Sequence, residues 1–444
     1  MKCRIPLALA VAATALAASP PAAADDPVLA GLVEEALANN PDVRALQESL
    51  AAARALPAQA SAPSDPMLAV GYTNEGWSPS LGTLPDSVLA VMVSQDLPWP
   101  GKRDLRGRLA ASEAEQAAQQ LARARLSVAA GVRRAYHALA QSRLLAELAR
   151  EQSQLWGQIE GVARARYTVG QGAQQDVLRT QVEVTRVGQA EAEQRAEEEM
   201  RLAELDRLLG RAGATTIEAR LPASVAAGPE PLAVAEDRLR AISPELAAAR
   251  AAVEAARLAV DLAHKEFKPD LGVRAGYMYR GGLDPMWQAG VSLNLPLART
   301  RRRAGLAEAE ARLRAAEQRV LAVDLQLRFR TQQRLARLQA VDRMTTLYED
   351  GVVPQDRLSF EAAMASYQAG RTPFIAVLES LGTLYADRGA YIRLLASRGR
   401  ILASLEEASL EDTGDMPALP AAMGAGPARA GAATGTDAGA SMKQ

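Results

Sequence analysis

Hydrophobic and polar positions alternate with a period of two in four short stretches of the chain. Leu271, Val273, Ala275, Tyr277 and Tyr279 share one face of an extended segment, and Gly272, Arg274, Gly276, Met278 and Arg280 share the other. Trp287, Ala289, Val291, Leu293 and Leu295 alternate with Met286, Gln288, Gly290, Ser292 and Asn294 in the same way. Successive side chains of a strand point to opposite faces, so each segment has one apolar face and one polar or small face. Earlier, Leu68, Val70 and Tyr72 alternate with Ala69, Gly71 and Thr73, and Leu89, Val91 and Val93 with Ala90, Met92 and Ser94. The pattern predicts strands at 67–76, 86–97, 271–280 and 286–297, joined in pairs by a loop from Trp77 to Pro85 and a turn from Gly281 to Pro285. Strands of about 10 residues cross a bilayer when tilted. Trp77, Trp99, Tyr279 and Trp287 lie near strand ends, where aromatic girdles form. The same alternation would suit two hairpins of a soluble sandwich, but that fold needs more strands than four.

Between the strands the period becomes helical. No proline occurs from Gly101 to Leu221, and apolar residues such as Leu105, Leu109, Leu121, Val132 and Leu139 recur along the first part. Helices are predicted over 101–166 and 174–209, broken by Val169-Gly170-Gln171-Gly172, and over 299–366 and 374–407, broken by Gly370-Arg371-Thr372-Pro373. The first would be about 100 Å long at 1.5 Å per residue, more than a compact domain holds. Pro354, with Gly351 nearby, is expected to kink the 299–366 helix without making a second turn. The charged run from Glu191 to Glu199 reads as a solvated face.

The chain reads as two copies of one plan. Asn40-Pro41-Asp42-Val43 is echoed by Ser243-Pro244-Glu245-Leu246, Asp65-Pro66 by Lys268-Pro269, Asp96-Leu97-Pro98 by Asn294-Leu295-Pro296, and Tyr167-Thr168-Val169-Gly170 by Tyr367-Gln368-Ala369-Gly370. The offsets stay near about 200 residues, so order and spacing persist over the whole unit. The expected organisation is a signal peptide at 1–24, a first repeat at 25–209, a connection at 210–235, a second repeat at 236–412 and a disordered Ala/Gly/Pro-rich tail at 413–444.

Composition narrows the class. Of 444 residues 51 are basic and 52 acidic, a balance that does not point to nucleic acid, and aromatics are only 4%, low for a globular enzyme core. Lys2 and Arg4, the apolar run Ile5 to Ala18 and the small residues Ala22-Ala23-Ala24 predict a secretory signal. Cys3, the single cysteine, would leave with it, so no disulfide or thiolate metal site is expected. No later stretch has about 18 uninterrupted apolar residues, so no transmembrane helix is expected. Four strands cannot close a barrel, and open edges in lipid cost several kcal/mol per unpaired backbone group. Closed barrels have about eight strands or more. The strands are therefore expected to be shared among copies, three of which would supply twelve.

The duplicated plan, the four strands and the paired Tyr-x-x-Gly turns resemble the TolC-like outer-membrane efflux proteins over about residues 28–409. Gln95-Asp96-Leu97-Pro98-Trp99-Pro100-Gly101-Lys102-Arg103 and the segment Tyr348 to Pro354 are similar to the heavy-metal branch, the cobalt-zinc-cadmium and copper-silver export channels. The resemblance implies a mixed, mainly α fold. It implies that four outer-membrane strands per chain would form a twelve-stranded barrel in a homotrimer, over a long helical coiled-coil barrel in the periplasm. It implies an outer-membrane location, contact with lipid, and a duct fed by an inner-membrane pump of the resistance-nodulation-division (RND) class through a periplasmic adaptor (membrane-fusion) protein. The helical turns would form a periplasmic gate and meet the adaptor. Carried over by position, Asp176, Tyr367, Arg371 and Glu379 are gate candidates, and Val169, Gly170, Gln171, Gly172, Ala369, Gly370 and Thr372 are the adaptor-contacting tips. Arg371 matches only approximately, and Ala376 replaces one acidic entrance position, which thins any acidic ring. Opposite charges on Arg371 and Asp176 at neighbouring tips would suit a weak lock, since exposed pairs contribute about 0–1 kcal/mol each. Ordinary surface charge is the alternative.

No catalytic, cofactor-binding or metal site is expected. The two histidines, His137 and His264, are far apart on helical stretches, and no metal cluster, phosphate loop or nucleophile elbow is present in the sequence. Met67, Met92, Met278 and Met286 fall in or near strands, where a soft-metal relay is one reading and gap-filling the more economical one. Three functions remain open: a metal-cation duct, the same duct for drugs, organic compounds or polypeptides, and a secreted structural coiled coil. The last leaves the alternating strands unexplained.

Overall fold

The computed structural model describes residues 26–81, 84–213, 216–222 and 230–411. The expected signal peptide with Cys3, the expected tail and part of the 210–235 connection lie outside the described residues. The chain divides into two compact units: of the described residues, one comprises 26–146, 192–343 and 395–411, and the other 147–191 and 344–394. Each unit draws on both sequence repeats.

Each repeat opens with a pair of helices, α1 (Pro27–Asn39) and α2 (Pro41–Ser61) in the first, α5 (Leu232–Ile242) and α6 (Pro244–Lys265) in the second. The echoed Asn40-Pro41 and Ser243-Pro244 are the starts of α2 and α6. The Asn40 side chain accepts from the Asp42 and Val43 amides and Ser243 Oγ from the Leu246 amide, while proline at the first helical position has no amide to leave unpaired. Asn40 also donates to the Leu208 carbonyl at 2.9 Å, tying α2 to the end of α4 (Gln174–Leu209). In the first unit Leu29, Leu32, Val33 and Ala36 of α1 pack on Val132, Tyr136 and Leu139 of α3 (Lys102–Thr168) and on Leu205, Leu208 and Leu209 of α4.

The four strands β1 (Met67–Thr73), β2 (Val88–Leu97), β3 (Asp270–Arg280) and β4 (Leu283–Asn294) form one antiparallel sheet in the order β1-β2-β3-β4. Its centre joins the two repeats: Leu89, Val91 and Val93 of β2 oppose Tyr279, Tyr277 and Ala275 of β3. The register puts every predicted apolar face on the same side. Leu68–Val93, Val70–Val91 and Tyr72–Leu89 pair at one edge, and Leu271–Leu293, Val273–Val291, Ala275–Ala289 and Tyr277–Trp287 at the other. This face is exposed in the chain, with Val70 66%, Val291 74% and Trp287 80% exposed. A one-residue slip of any strand would turn its apolar set to the opposite side, so the match of all four fixes the register.

The strand boundaries differ from those the alternation predicts. β1 stops at Thr73 and not at 76, and β2 begins at 88. β4 starts three residues earlier than expected because Gly281 and Gly282 complete the turn alone, Gly281 with φ +64°, and Arg280 already opposes Leu283. Pro285 is tolerated inside β4 because it falls at the register shift between Met278 and Arg280, where the ladder is interrupted. Below the sheet the Gln95–Arg103 segment is a clamp. Lys102, 1% exposed, places its ammonium 2.9 Å from Asp270, whose carboxylate also accepts from the Trp99 amide.

The helix predicted over 299–366 is α7 (Arg299–Leu347), a π-helical turn at Tyr348–Val352 and α8 (Val353–Gln368), followed by α9 (Phe374–Glu407). Leu347, Val352 and Val353 all keep right-handed helical angles, so the Gly351–Pro354 region widens one turn without breaking the helix. Among the described residues no helix is long and apolar enough to cross a membrane.

Gly210, just after α4, has φ +68°, and a Cβ there would sit 2.8 Å from the Asn39 carbonyl oxygen. Gly210→Ala is expected to lower stability by at least about 1–2 kcal/mol, the cost of a left-handed alanine alone. Gly31→Ala, with nothing within 4 Å of the new methyl, should instead be neutral or stabilising by up to about 1 kcal/mol. Thermal unfolding of the two variants beside the parent checks the contrast.

Candidate functional site: the paired helical turns

The second unit contains both helical turns. They are built alike. At the first, Gly170 donates to Tyr167 O (3.0 Å) and Gln171 to Arg166 O (2.8 Å); at the second, Gly370 donates to Tyr367 O (2.9 Å) and Arg371 to Ser366 O (2.9 Å). These are the nested bonds that cap orphan carbonyls at a helix end, and they need a left-handed residue, supplied by Gly170 (φ +75°) and Gly370 (φ +73°). Gly172 is held close by packing, since a Cβ there would approach Arg166 Cβ and the Tyr167 amide at 3.1 Å. On the helices that lead to and from the turns, Trp156, Ile159, Val187, Val377 and Leu381 are buried. The Arg388–Glu151 pair links α9 to α3 and the Arg150–Glu191 pair links α3 to α4.

One side chain bridges the turns, and it was not among the predicted residues. The Arg166 guanidinium donates to the Tyr367 carbonyl, to Gln368 O at 3.4 Å and to Gln171 O at 3.2 Å, and lies 4.7 Å over the Tyr367 ring. It therefore spends its fixed fork on carbonyls of both turns and its face on an aromatic ring, which a lysine could not do. The corresponding position of the second repeat is Ser366, so a search for echoed residues passes over Arg166.

Tyr367 is 3% exposed, packs against Phe374 and points its hydroxyl at Asp176 Oδ2, 3.4 Å away. Burial and the adjacent Asp176 charge push its phenol up, against the Arg166 cation. Its repeat partner Tyr167 is 46% exposed. Asp176 is half-buried, and its carbonyl accepts from the buried Thr180. The structure thus brings Asp176 and Tyr367 together but does not bring Arg371 to Asp176 within one chain. Arg371 is exposed, with its backbone committed to the turn, and Arg166 is the cation that occupies the space between the turns. Glu379 is exposed on α9 one turn beyond Phe374. Among the tip residues Val169, Gly170, Gln171, Ala369 and Gly370 face solvent, Gly172 is partly covered, and Thr372 Oγ1 is sealed without a hydrogen bond.

Beside the π-helical turn lies a carboxyl pair that no motif announced. Asp356 Oδ2 is sealed from solvent without a hydrogen-bond partner, and its neighbour is Asp387. Burial first, then the hydrogen bond and charge shared with Asp387, push the Asp356 carboxyl up to about 6. Tyr348 is raised by burial and by the same two carboxyls. Among the described residues no group of three or more His, Cys, Asp and Glu side chains is arranged to hold a metal.

A sheet with one exposed apolar face, joined to long helices that turn in capped pairs, defines an outer-membrane channel of the helical-duct class. The family model for the outer membrane efflux protein matches residues 32–211 and 236–410, and the chain belongs to that family and to the outer membrane. Solved structures share the fold. VceC, an outer membrane protein from the bacterial pathogen Vibrio cholerae, superposes with a TM-score of 0.74 at 22% identity, covering 86% of this chain and 95% of that one. The outer-membrane channel OprN gives 0.72 at 22% identity, covering 86% and 90%. CusC, described for its folding and transmembrane channel formation, gives 0.72 at 19% identity, covering 86% and 92%. No curated protein sequence matches the chain.

Arg166→Ala is expected to free the second turn. Hydrogen bonds to charged groups contribute about 1.5–3 kcal/mol, so amide exchange over residues 366–372 should accelerate about tenfold or more, with little change in the helices below. Arg166→Lys should recover only a small part of that protection. The carboxyl pair gives a pH dependence whose sign is set by the raised value. Between the ordinary aspartate range near 3.8 and about 6 the folded state holds more protons than the unfolded state. Stability of this region therefore falls as pH rises through that window and is flat above it. Thermal unfolding should show a higher midpoint at pH 5 than at pH 7.5, and Asp356→Asn should raise the pH 7.5 value and remove the difference.

Proposed function

We propose that three copies of the chain form an outer-membrane exit duct of a tripartite efflux system that passes heavy-metal cations received from an RND-type inner-membrane pump through a periplasmic adaptor. The observation that carries the assembly is the open sheet. β1 and β4 each leave one side of their backbone unpaired, and the apolar face is bare. Lipid can cover that face but cannot satisfy the edges. Joining β4 of one copy to β1 of the next satisfies both and gives a closed twelve-stranded wall. Along the helices, exposed Leu178, Val182 and Ile375 line a groove of about 400 Å³ with Arg179, Glu183 and Arg186, an apolar strip with a charged rim suited to a neighbouring copy.

The turns are the gate in this reading. Asp176 and Tyr367 sit inside the turn pair, Arg371 and Glu379 face outward where adjacent copies meet, and residues 169–172 and 369–372 are presented to the adaptor. Arg371 of one copy facing Asp176 of the next would make three weak, separable pairs, each contributing about 0–1 kcal/mol. The metal cargo rests on the likeness of the Gln95–Arg103 and Tyr348–Pro354 segments to the heavy-metal branch.

Growth of a deletion strain on a panel of metals and organic toxicants tests the cargo. Selective sensitivity to zinc, cobalt, cadmium, copper or silver, restored by the gene, is expected. Sensitivity confined to detergents and dyes would keep the duct and move it to drug export.

A further inference from the structure

Four of the eleven methionines lie in the strands, and all four are on one face of the sheet. Met67 opposes Ser94, Met92 opposes Ala69 and Gly276, and Met278 opposes both Ala90 and Met286. Their neighbours on that face are Gly, Ala, Ser, Arg, Gln and Asp, and the apolar face, where an unbranched apolar side chain would meet lipid, carries no methionine. Met67 is 67% exposed and Met286 41%. Met92 and Met278, on the inner strands, are partly buried, and none of the four methionines is in the buried core.

Their placement is also ordered. Met278 and Met286 face each other directly, Met92 is one diagonal step from Met278, and Met67 one diagonal step from Met92, so the four cross the sheet as a stripe from β1 to β4. Direct partners have Cβ atoms about 4.5–5.5 Å apart and diagonal partners sit about 7–8 Å apart, within reach of long side chains. Met92 already lies over β3, its Cγ placed 2.9 Å from where a Cβ on Gly276 would be, so the glycine is what lets it lean toward Met278. Of the two cations β3 carries on this face, Arg274 leans over Gly290 of β4 and Arg280 donates to the Pro85 carbonyl.

We infer that this methionine stripe is a binding track for soft monovalent cations, Cu(I) or Ag(I), on the lumen face of the barrel. The inference rests on the duct reading and narrows its cargo. A thioether is neutral, polarisable and a ligand of choice for soft ions. No imidazole belongs to the stripe, and the carboxylates that adjoin it are at its two ends, Asp96 one diagonal step from Met67 and Asp284 two residues before Met286. A thioether loses no proton on binding, so affinity would not follow pH as it does at thiolate or imidazole sites. Two or three flexible thioethers bind without enclosing the ion, which allows hand-over from one pair to the next.

The test uses the purified full-length protein in detergent, chloride-free buffer and silver nitrate. The parent should bind Ag(I) with an affinity unchanged between pH 5.5 and 7.5. The fourfold variant M67L/M92L/M278L/M286L, which conserves volume and hydrophobicity, should bind at least tenfold more weakly while still assembling. Met286→Leu alone, at an exposed edge position, should show a smaller loss and guards against a folding defect. Equal silver uptake by parent and assembled variants, or no uptake by the parent, overturns the track. In the deletion strain the fourfold variant should fail on silver and copper yet support whatever zinc, cobalt or dye resistance the parent restores. If the parent restores no metal resistance, the cargo reading fails; methionine-dependent silver binding in detergent would still uphold the track.

Discussion

The sheet has two unpaired edges and one bare apolar face, and these two facts constrain everything else. An apolar face of this size could in principle be covered by helices of the same chain. The register prevents a half-measure: all four strands turn their apolar sets the same way, so the face is continuous from Leu68 to Leu293. Lipid covers such a face without any specific partner. The edges need backbone from another strand, and the edges of further copies, with their apolar sets facing the same way, would supply it. The clamp of Lys102 and the Trp99 amide on Asp270 then gains a purpose. It fixes the start of α3 to the start of β3, so that the direction in which the helices leave the wall is set at the junction.

Duplication supplies the frame, and departures from it supply the working parts. Both turns carry the same nested hydrogen bonds around the same Tyr-x-x-Gly pattern. Arg166 stands where the second repeat has Ser366, so one guanidinium can reach across to the other turn without a competing copy of itself. The consequence is unequal tyrosines: Tyr367 is drawn under the arginine and against Asp176, and Tyr167 is left in solvent. The helix ends at the opposite limit of each repeat differ in the same fashion. Gly210 takes the left-handed position after α4, and Ala408, with φ +52°, takes it after α9. The first admits the Asn39 carbonyl at a distance no side chain would allow.

Much of this was legible in the sequence because its causes are periodic. A two-residue alternation gives strand faces, a proline after an N-cap residue gives helix starts, and a glycine after Tyr-x-x gives the turns. What escaped depends on pairs distant in sequence or on single asymmetric residues. Arg166 acts on a carbonyl 201 residues away. Asp356 and Asp387 belong to different helices and mean nothing apart. The turn ahead of β4 looked five residues long because Asp284 and Pro285 are turn formers, yet both lie inside β4, at the register shift. The four methionines were visible as residues, but which face they occupied depended on how β2 and β3, from different repeats, would pair.

The elements beside the turns suggest how a duct can be closed without being locked. The π-helical turn at Tyr348–Val352 sits in the helix that leads to the second turn, and the carboxyl pair Asp356–Asp387 joins that helix to the one leading away. Burial and the neighbouring Asp387 push the Asp356 carboxyl up to about 6, so the two carboxyls share a proton below that pH and repel one another above it. Above this soft joint, Arg166 fastens the two turns to each other and leaves Arg371 free to act outward. The rigid bond therefore lies inside one chain and the weak ones lie where chains would meet. In the gate proposed above, a partner that engages the outward face would part neighbouring copies at a cost of about 0–1 kcal/mol per pair.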